Sequence, residues 1–184
     1  MHTCFDAAVM ADLCDDILCL EKERPLEITS GLYDFVEQLR QTPQWNQLLL
    51  VVTADHGINY QQIDQMTPLQ KHHIPMLWLG GAVKEPAVID ALCNQSDLAA
   101  ILFGQLRQPH DEFTFSRDVL SLSYVHPLAV NNYNNAQWIT DSTGHLLYDF
   151  NTERLLINKT ADGDRLQSVS KAILQKTAND LQNR

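Results

Sequence analysis

The sequence predicts an α/β fold in which helices flank a mostly parallel central sheet, followed by a C-terminal antiparallel β meander and a terminal helix. Three observations carry this expectation. Leu48-Leu49-Leu50-Val51-Val52 is continuously apolar, as in a strand covered on both faces. Amphipathic stretches precede it and a second apolar run follows it, so helix, strand, loop and strand come in the order of βαβ construction. From Tyr124 onward, short β-prone runs alternate with turn-forming clusters such as Asp141-Ser142-Thr143-Gly144, the pattern of a meander.

The elements follow in order. Val9, Leu13, Ile17 and Leu20 recur at helical spacing between Phe5 and Glu23, and Pro25 ends that helix. A second helix is expected over about Thr29 to Gln41, with Leu32, Phe35, Val36 and Leu39 on one face and Thr42-Pro43 as the stop. Strand Gln47 to Thr53 comes next, then a polar, Gln-rich loop from Ile58 to Lys71. A second strand is expected from His73 to Leu79, closed by Gly80-Gly81. Ser96 or Asp97 is positioned to cap a third helix running through Leu106. Gln137–Thr140, His145–Phe150 and Arg154–Asn158 are the expected meander strands. Asp164 to Leu181 carries Leu166, Val169, Ile173, Leu174 and Leu181 on one face, as a docked helix would. No linker or repeat divides the chain, so residues 1–184 read as one domain: an α/β portion over 1–123, the meander over 124–163 and the helix over 164–184.

Composition narrows the functional classes. In 184 residues with 45% hydrophobic content there is material for a sizeable core, and a formal charge of −10 argues against a nucleic-acid surface, which needs clustered Lys and Arg. No stretch approaches the roughly 20 apolar residues that span a bilayer. Cys4, Cys14, Cys19 and Cys93 form no C-x-x-C pair and read as buried free thiols. Asn158-Lys159-Thr160 matches a glycosylation sequon, which says little without a secretory context.

The chemistry concentrates at Asp55-His56-Gly57. Ligands of parallel α/β sheets bind beyond the carboxyl ends of the strands, where this triplet falls. A carboxylate oxygen and an imidazole nitrogen both ligate divalent metals, and Gly57 leaves the approach unobstructed. The simpler alternative is a turn that caps the next helix.

Longer stretches point further. Trp45 to Gly57 (WNQLLLVVTADHG), His72 to Gly81 (HHIPMLWLGG) and Gln95 to Leu106 (QSDLAAILFGQL) resemble the C-terminal half of the sulfatase and alkaline phosphatase superfamily. Trp45, the His73-to-Trp78 run and Gly80-Gly81 are most similar to its lipoteichoic-acid-synthase-like, phosphoglycerol-transferase-type branch. The likeness extends over most of residues 30 to 120.

The resemblance implies a partial alkaline-phosphatase-like sandwich. It implies that Asp55 and His56 are ligands of a catalytic divalent cation, Mn²⁺ or Zn²⁺, with Mg²⁺ or Ca²⁺ as alternatives. His73 then corresponds to a position in contact with substrate or metal. His2, in His2-Thr3-Cys4-Phe5-Asp6, resembles a family segment that supplies a phosphate-binding histidine, although the family's Ser and Pro are missing here. Ser116-Arg117-Asp118 resembles a Phe-Ser-x-Asp stretch, for which a salt bridge from Arg117 to Asp118 or Asp111 is the ordinary outcome. His72, His110, His126 and His145 read as surface histidines.

The family's Thr or Ser nucleophile and its acidic ligand lie well upstream of the Asp-His-Gly strand, so the chain reads as the C-terminal portion of a catalytic domain, a soluble piece that needs the missing N-terminal half. The implied reaction is metal-dependent transfer or hydrolysis of phosphoglycerol- or phosphoethanolamine-type esters through a covalent Thr/Ser intermediate. The alternatives are a true sulfatase fragment or an inactive remnant. The implied substrate is an anionic phosphate or sulfate ester, lipid- or glycan-linked, and intact relatives of this kind are membrane-anchored with an extracytoplasmic catalytic domain.

Overall fold

A computed structural model describes residues 26–57 and 72–183. The expected helix from Phe5 to Glu23, the loop from Ile58 to Lys71, Cys4, Cys14, Cys19 and His2 lie outside the described residues. The chain divides into two compact units after Asp90.

The first unit contains helix α1 (Leu26–Arg40) and strands β1 (Leu50–Thr53) and β2 (Met76–Leu79). The helix stops where the sequence says it must. Thr42 turns its hydroxyl back to the Leu39 carbonyl at 2.7 Å, and Pro43 opens a 3-10 turn, Pro43–Gln47, that takes the place of the expected start of the strand. Val36 from the helix packs with Leu77 and Leu79 of β2, and Leu32, Trp45, Leu50 and Val52 close around them. All four residues of β2 are buried, whereas those of β1 are half-buried, so the apolar run at 48–52 is less enclosed than its composition suggests. Gly80 adopts φ +108°, and a side chain there would meet the Leu48 carbonyl oxygen at 2.2 Å. That close approach lets Gly81 and Ala82 donate to the carbonyls of Trp45 and Leu48 at 2.8 and 3.1 Å.

The pairing of β1 with β2 corrects the parallel expectation: the strands are antiparallel, Leu50 opposite Leu79 and Thr53 opposite Met76, and no parallel pair occurs among the described residues. An apolar run reports burial on two faces but not direction. Direction follows from the connection, and a parallel neighbour needs a crossover, usually an amphipathic helix.

In the second unit the chain forms a 3-10 turn, Gln95–Asp97, then helix α2 (Leu98–Gln105), the four-stranded antiparallel meander β3 (Leu128–Asn132), β4 (Ala136–Asp141), β5 (Gly144–Asp149) and β6 (Arg154–Thr160), and helix α3 (Gly163–Gln182). The meander and terminal helix agree with the sequence reading; β3 is an additional strand. Leu166, Val169 and Ile173 of α3 cover Ile139, Leu146 and Tyr148, whereas Leu174 and Leu181, expected on the same face, are exposed. Two buried polar groups beneath this helix are matched, Ser170 donating to Gln137 at 2.8 Å and Gln137 to Asn132 at 2.8 Å.

Asp97 does not cap α2 with its side chain. Its carboxylate is fully buried and accepts the Asn94 N–H at 2.7 Å, the Arg117 N–H at 2.9 Å, and Arg117 Nε and Nη2 at 2.9 and 2.6 Å. Arg117 thus finds Asp97 rather than Asp118 or Asp111, and its Nη2 also donates to the Leu128 carbonyl at 2.8 Å. Burial opposes the guanidinium charge, but hydrogen bonding and attraction to Asp97 outweigh it and hold the Arg117 pKa above its ordinary value. Beside this pair, Asn94 donates to the Val130 carbonyl at 2.7 Å and accepts the Val130 N–H at 2.9 Å. The amide side chain thereby occupies the edge of β3 as a neighbouring strand would. Among the described residues no helix is long and apolar enough to cross a membrane.

Two predictions follow from this packing. Arg117→Met leaves a buried carboxylate unpaired and should lower the unfolding free energy by roughly 3–5 kcal/mol, whereas Asp111→Ala should change it by less than about 0.5 kcal/mol, both read from urea denaturation. Equal effects would remove the Asp97 pair as the organising contact.

The second concerns acid. Burial, then the Lys159 charge, push the pKa of His145 down while its ring stacks on Trp138 at 4.7 Å. Partial burial would raise Asp141, but hydrogen bonds from Thr143 and Arg165 prevail and lower it; the Thr152 and Asn151 N–H groups lower Asp149. All three folded pKa values lie below their unfolded values, so unfolding takes up protons as pH falls. Stability is therefore full at neutral pH, declines below about 6.5 through His145 and again below about 3.9 through the two aspartates. His145→Gln should flatten the first stage in a pH series of urea midpoints; an unchanged first stage would exclude His145 as its source.

Candidate functional site

The site is built from the strand ends of the first unit. Because Thr53 lies opposite Met76, the chain leaving β1 through Ala54, Asp55 and His56 and the chain entering β2 through His72, His73, Ile74 and Pro75 share one end of the sheet. In a parallel pair the approach to β2 would lie at the opposite end. The two segments are tied directly, Thr53 Oγ1 donating to the Pro75 carbonyl at 3.1 Å.

Asp55 and His56 are close and open to solvent. Asp55 Oδ2 stands 3.7 Å from His56 Nε2, with the side chains 88% and 74% exposed. The other carboxylate oxygen, Oδ1, accepts the His56 backbone N–H at 3.0 Å, fixing the carboxylate against the turn. His56 Nδ1 lies 2.7 Å from the Gly57 carbonyl oxygen. A carbonyl only accepts, so Nδ1 carries the proton and the neutral ring keeps its lone pair on Nε2, the atom facing Asp55. A hydrogen bond from the other ring nitrogen to a backbone carbonyl commonly orients metal-binding histidines.

Two ligands at about 2.0–2.1 Å on a tetrahedral ion lie roughly 3.4 Å apart. The oxygen and nitrogen of this pair are close to that spacing, with the correct tautomer and a clear approach. They fit half of a divalent-metal shell. Among the described residues no group of three His, Cys, Asp or Glu side chains converges on one point, so further donors are needed to complete it.

His73 is exposed and His72 half-exposed at the same end of the sheet. His145 belongs to the packing of the meander. Arg117 is committed to Asp97. Asn158 of the sequon lies on β6, its amide nitrogen 2.8 Å from where a side chain at Gly163 would begin. The Asn94, Asp97 and Arg117 constellation went unread in the sequence, although Asn94-x-x-Asp97 before an apolar helix is a recognisable reciprocal capping pattern.

Residues 30–107 match the family model described as Sulfatase, a span that contains α1 from Ser30 onward, β1, Asp55, His56, His73, β2 and α2. The matched stretch, 78 of the 184 residues, is similar to that family. No curated protein and no solved structure gives a match.

The tautomer of His56 is measurable. Long-range ¹H–¹⁵N spectra of the neutral ring should show protonated Nδ1 and a lone pair on Nε2. The reverse assignment would take Nε2 out of consideration as a ligand.

Proposed function

We propose that this chain contributes the Asp-His metal half-site and a substrate-contacting histidine to a sulfatase-like enzyme that transfers or hydrolyses phosphoglycerol- or phosphoethanolamine-type esters. The observation that supports this reading most is the antiparallel register of β1 and β2, which gathers Asp55, His56 and His73 at one end of a sheet within the matched span.

In this reading Asp55 and His56 hold a divalent cation, Mn²⁺ or Zn²⁺ from the donor types, with Mg²⁺ and Ca²⁺ less suited to an imidazole ligand. When bound, such a cation lowers the pKa of a coordinated oxygen acid and offsets charge on phosphoryl or sulfuryl oxygens. Asp55 supplies one negative charge, fixed by the His56 N–H. His56 supplies a neutral nitrogen, fixed by the Gly57 carbonyl. His73, when protonated, attracts an anionic ester and donates a hydrogen bond to it. His2 is a further candidate for that anion, and the nucleophile falls on no residue that the resemblance assigns in this chain. An intact enzyme of this kind is expected to be membrane-anchored, with a lipid- or glycan-linked substrate.

A second reading, sulfuric ester hydrolysis, is favoured by the description of the matching family itself. The two differ in acceptor and in the central atom, phosphorus with a glycan or lipid hydroxyl against sulfur with water. In either case two exposed donors leave most coordination positions to water, so affinity is low.

The test joins binding to turnover. The chain should bind Mn²⁺ or Zn²⁺ with a dissociation constant weaker than about 1 µM in calorimetric titration, and Asp55→Ala or His56→Ala should abolish the heat. Turnover of aryl phosphate, aryl sulfate or a phosphatidylglycerol analogue should be negligible. Micromolar or tighter binding that survives His56→Ala would remove the pair from the site, and efficient turnover abolished by Asp55→Ala would overturn the half-site description.

A further inference from the structure

Between α2 and β3 the chain forms no helix or strand from Leu106 to Pro127, yet it is held at several points. Ser116 Oγ accepts the Ala100 N–H at 2.8 Å, Arg117 is clasped by Asp97, and Tyr124 OH donates to the Leu92 carbonyl at 2.6 Å. A loop fixed so firmly can hold side chains in place for a ligand. This loop borders a half-open depression of about 360 Å³, lined by His110, Arg117, Asp118, Ser121, Ser123 and His126 among others. That volume is in the range of small-molecule sites.

We propose that this cavity binds a neutral polyhydroxyl group, a sugar or a glyceryl moiety. The argument begins with charge. The guanidinium of Arg117 is neutralised by buried Asp97, and Asp118 adds a negative charge of its own, so these three groups together do not draw an anion. A metal is disfavoured because His110, His126 and Asp118 do not converge as a three-donor group. An apolar ligand would leave imidazoles and hydroxyls desolvated and unpaired.

What remains is a lining that is apolar over most of its area, as the carbon-bound faces of a sugar or glycerol accept, and that is set with groups that both donate and accept. The rings of His110 and His126 have no hydrogen-bond, ionic or ring partner among the described residues, and each neutral imidazole offers one N–H and one lone pair. Ser121 and Ser123 bond to each other through their hydroxyls at 2.8 Å. That contact uses one O–H of the two, leaving the other to donate. Asp118 Oδ1 accepts the Leu120 N–H at 3.0 Å and keeps further lone pairs for hydroxyl donors. Vicinal hydroxyls, each donor and acceptor at once, match this mixture where a phosphate, all acceptor, does not.

The inference stands on the second unit alone and does not depend on the metal reading. Its test is a titration of the whole chain, followed through the ring protons of His110 and His126, with methyl glucoside, with glycerol and with inorganic phosphate at pH 7.5. A polyol should shift both rings saturably with a dissociation constant of about 1–10 mM. The stronger of the two polyol arms tells a sugar from a glyceryl source. Ser123→Ala and His126→Ala, both at exposed positions, should each weaken binding about fivefold or more. Silence from both polyols, shifts from phosphate alone, or polyol shifts unchanged in both variants would overturn the proposal.

Discussion

The register that sets Thr53 opposite Met76 is the constraint on which the first unit depends. It aligns the apolar side chains of β1 and β2 with Val36, and it determines which loop ends meet. A slip of one residue would exchange the faces of every side chain on the strand, moving Leu50 and Val52 out of the cluster they form with Leu77 and Leu79. The hydroxyl of Thr53 on the Pro75 carbonyl reinforces the register at the end where Asp55, His56, His72 and His73 gather. Core packing and site geometry are therefore two consequences of one pairing.

The second unit rests on a different interaction. Asp97 and Arg117 form a buried pair whose remaining hydrogen-bonding capacity is spent on the Asn94 and Arg117 N–H groups and on the Leu128 carbonyl. Such a pair adds little net stability over a well-packed apolar substitute, but it is costly to half-remove. Its structural effect is to join the start of α2, an otherwise irregular loop and the first meander strand at one point. Asn94 completes the arrangement by closing the edge of β3.

Much of the architecture was legible in the residues. The stop of α1 at Thr42-Pro43, the meander turns at Asp141-Ser142-Thr143-Gly144 and Asn151-Thr152-Glu153, and the terminal helix all follow from local chemistry, and the structure agrees. Strand direction was not legible, because burial of a run such as Leu48 to Val52 is the same whichever way its neighbour points. The partner of Arg117 was also hidden: Asp118 and Asp111 are near in sequence, whereas Asp97 is brought close only by the packing of α2 against the loop. Asp55 and His56 stood out only through the longer resemblance around them, because the triplet alone reads equally as a turn that caps a helix. Leu174 and Leu181 show the opposite failure, apolar positions at helical spacing that stay exposed although Ile173, next to Leu174, packs on the sheet.

The central claim is that the exits of β1 and β2 form one cation-binding end. The measurement that tests it most directly is the paramagnetic broadening of backbone amide signals on titration with Mn²⁺. The account predicts that residues 53–57 and 72–76 lose intensity together and first. Broadening confined to one of the two segments, or centred on the acidic groups of the second unit, would contradict it.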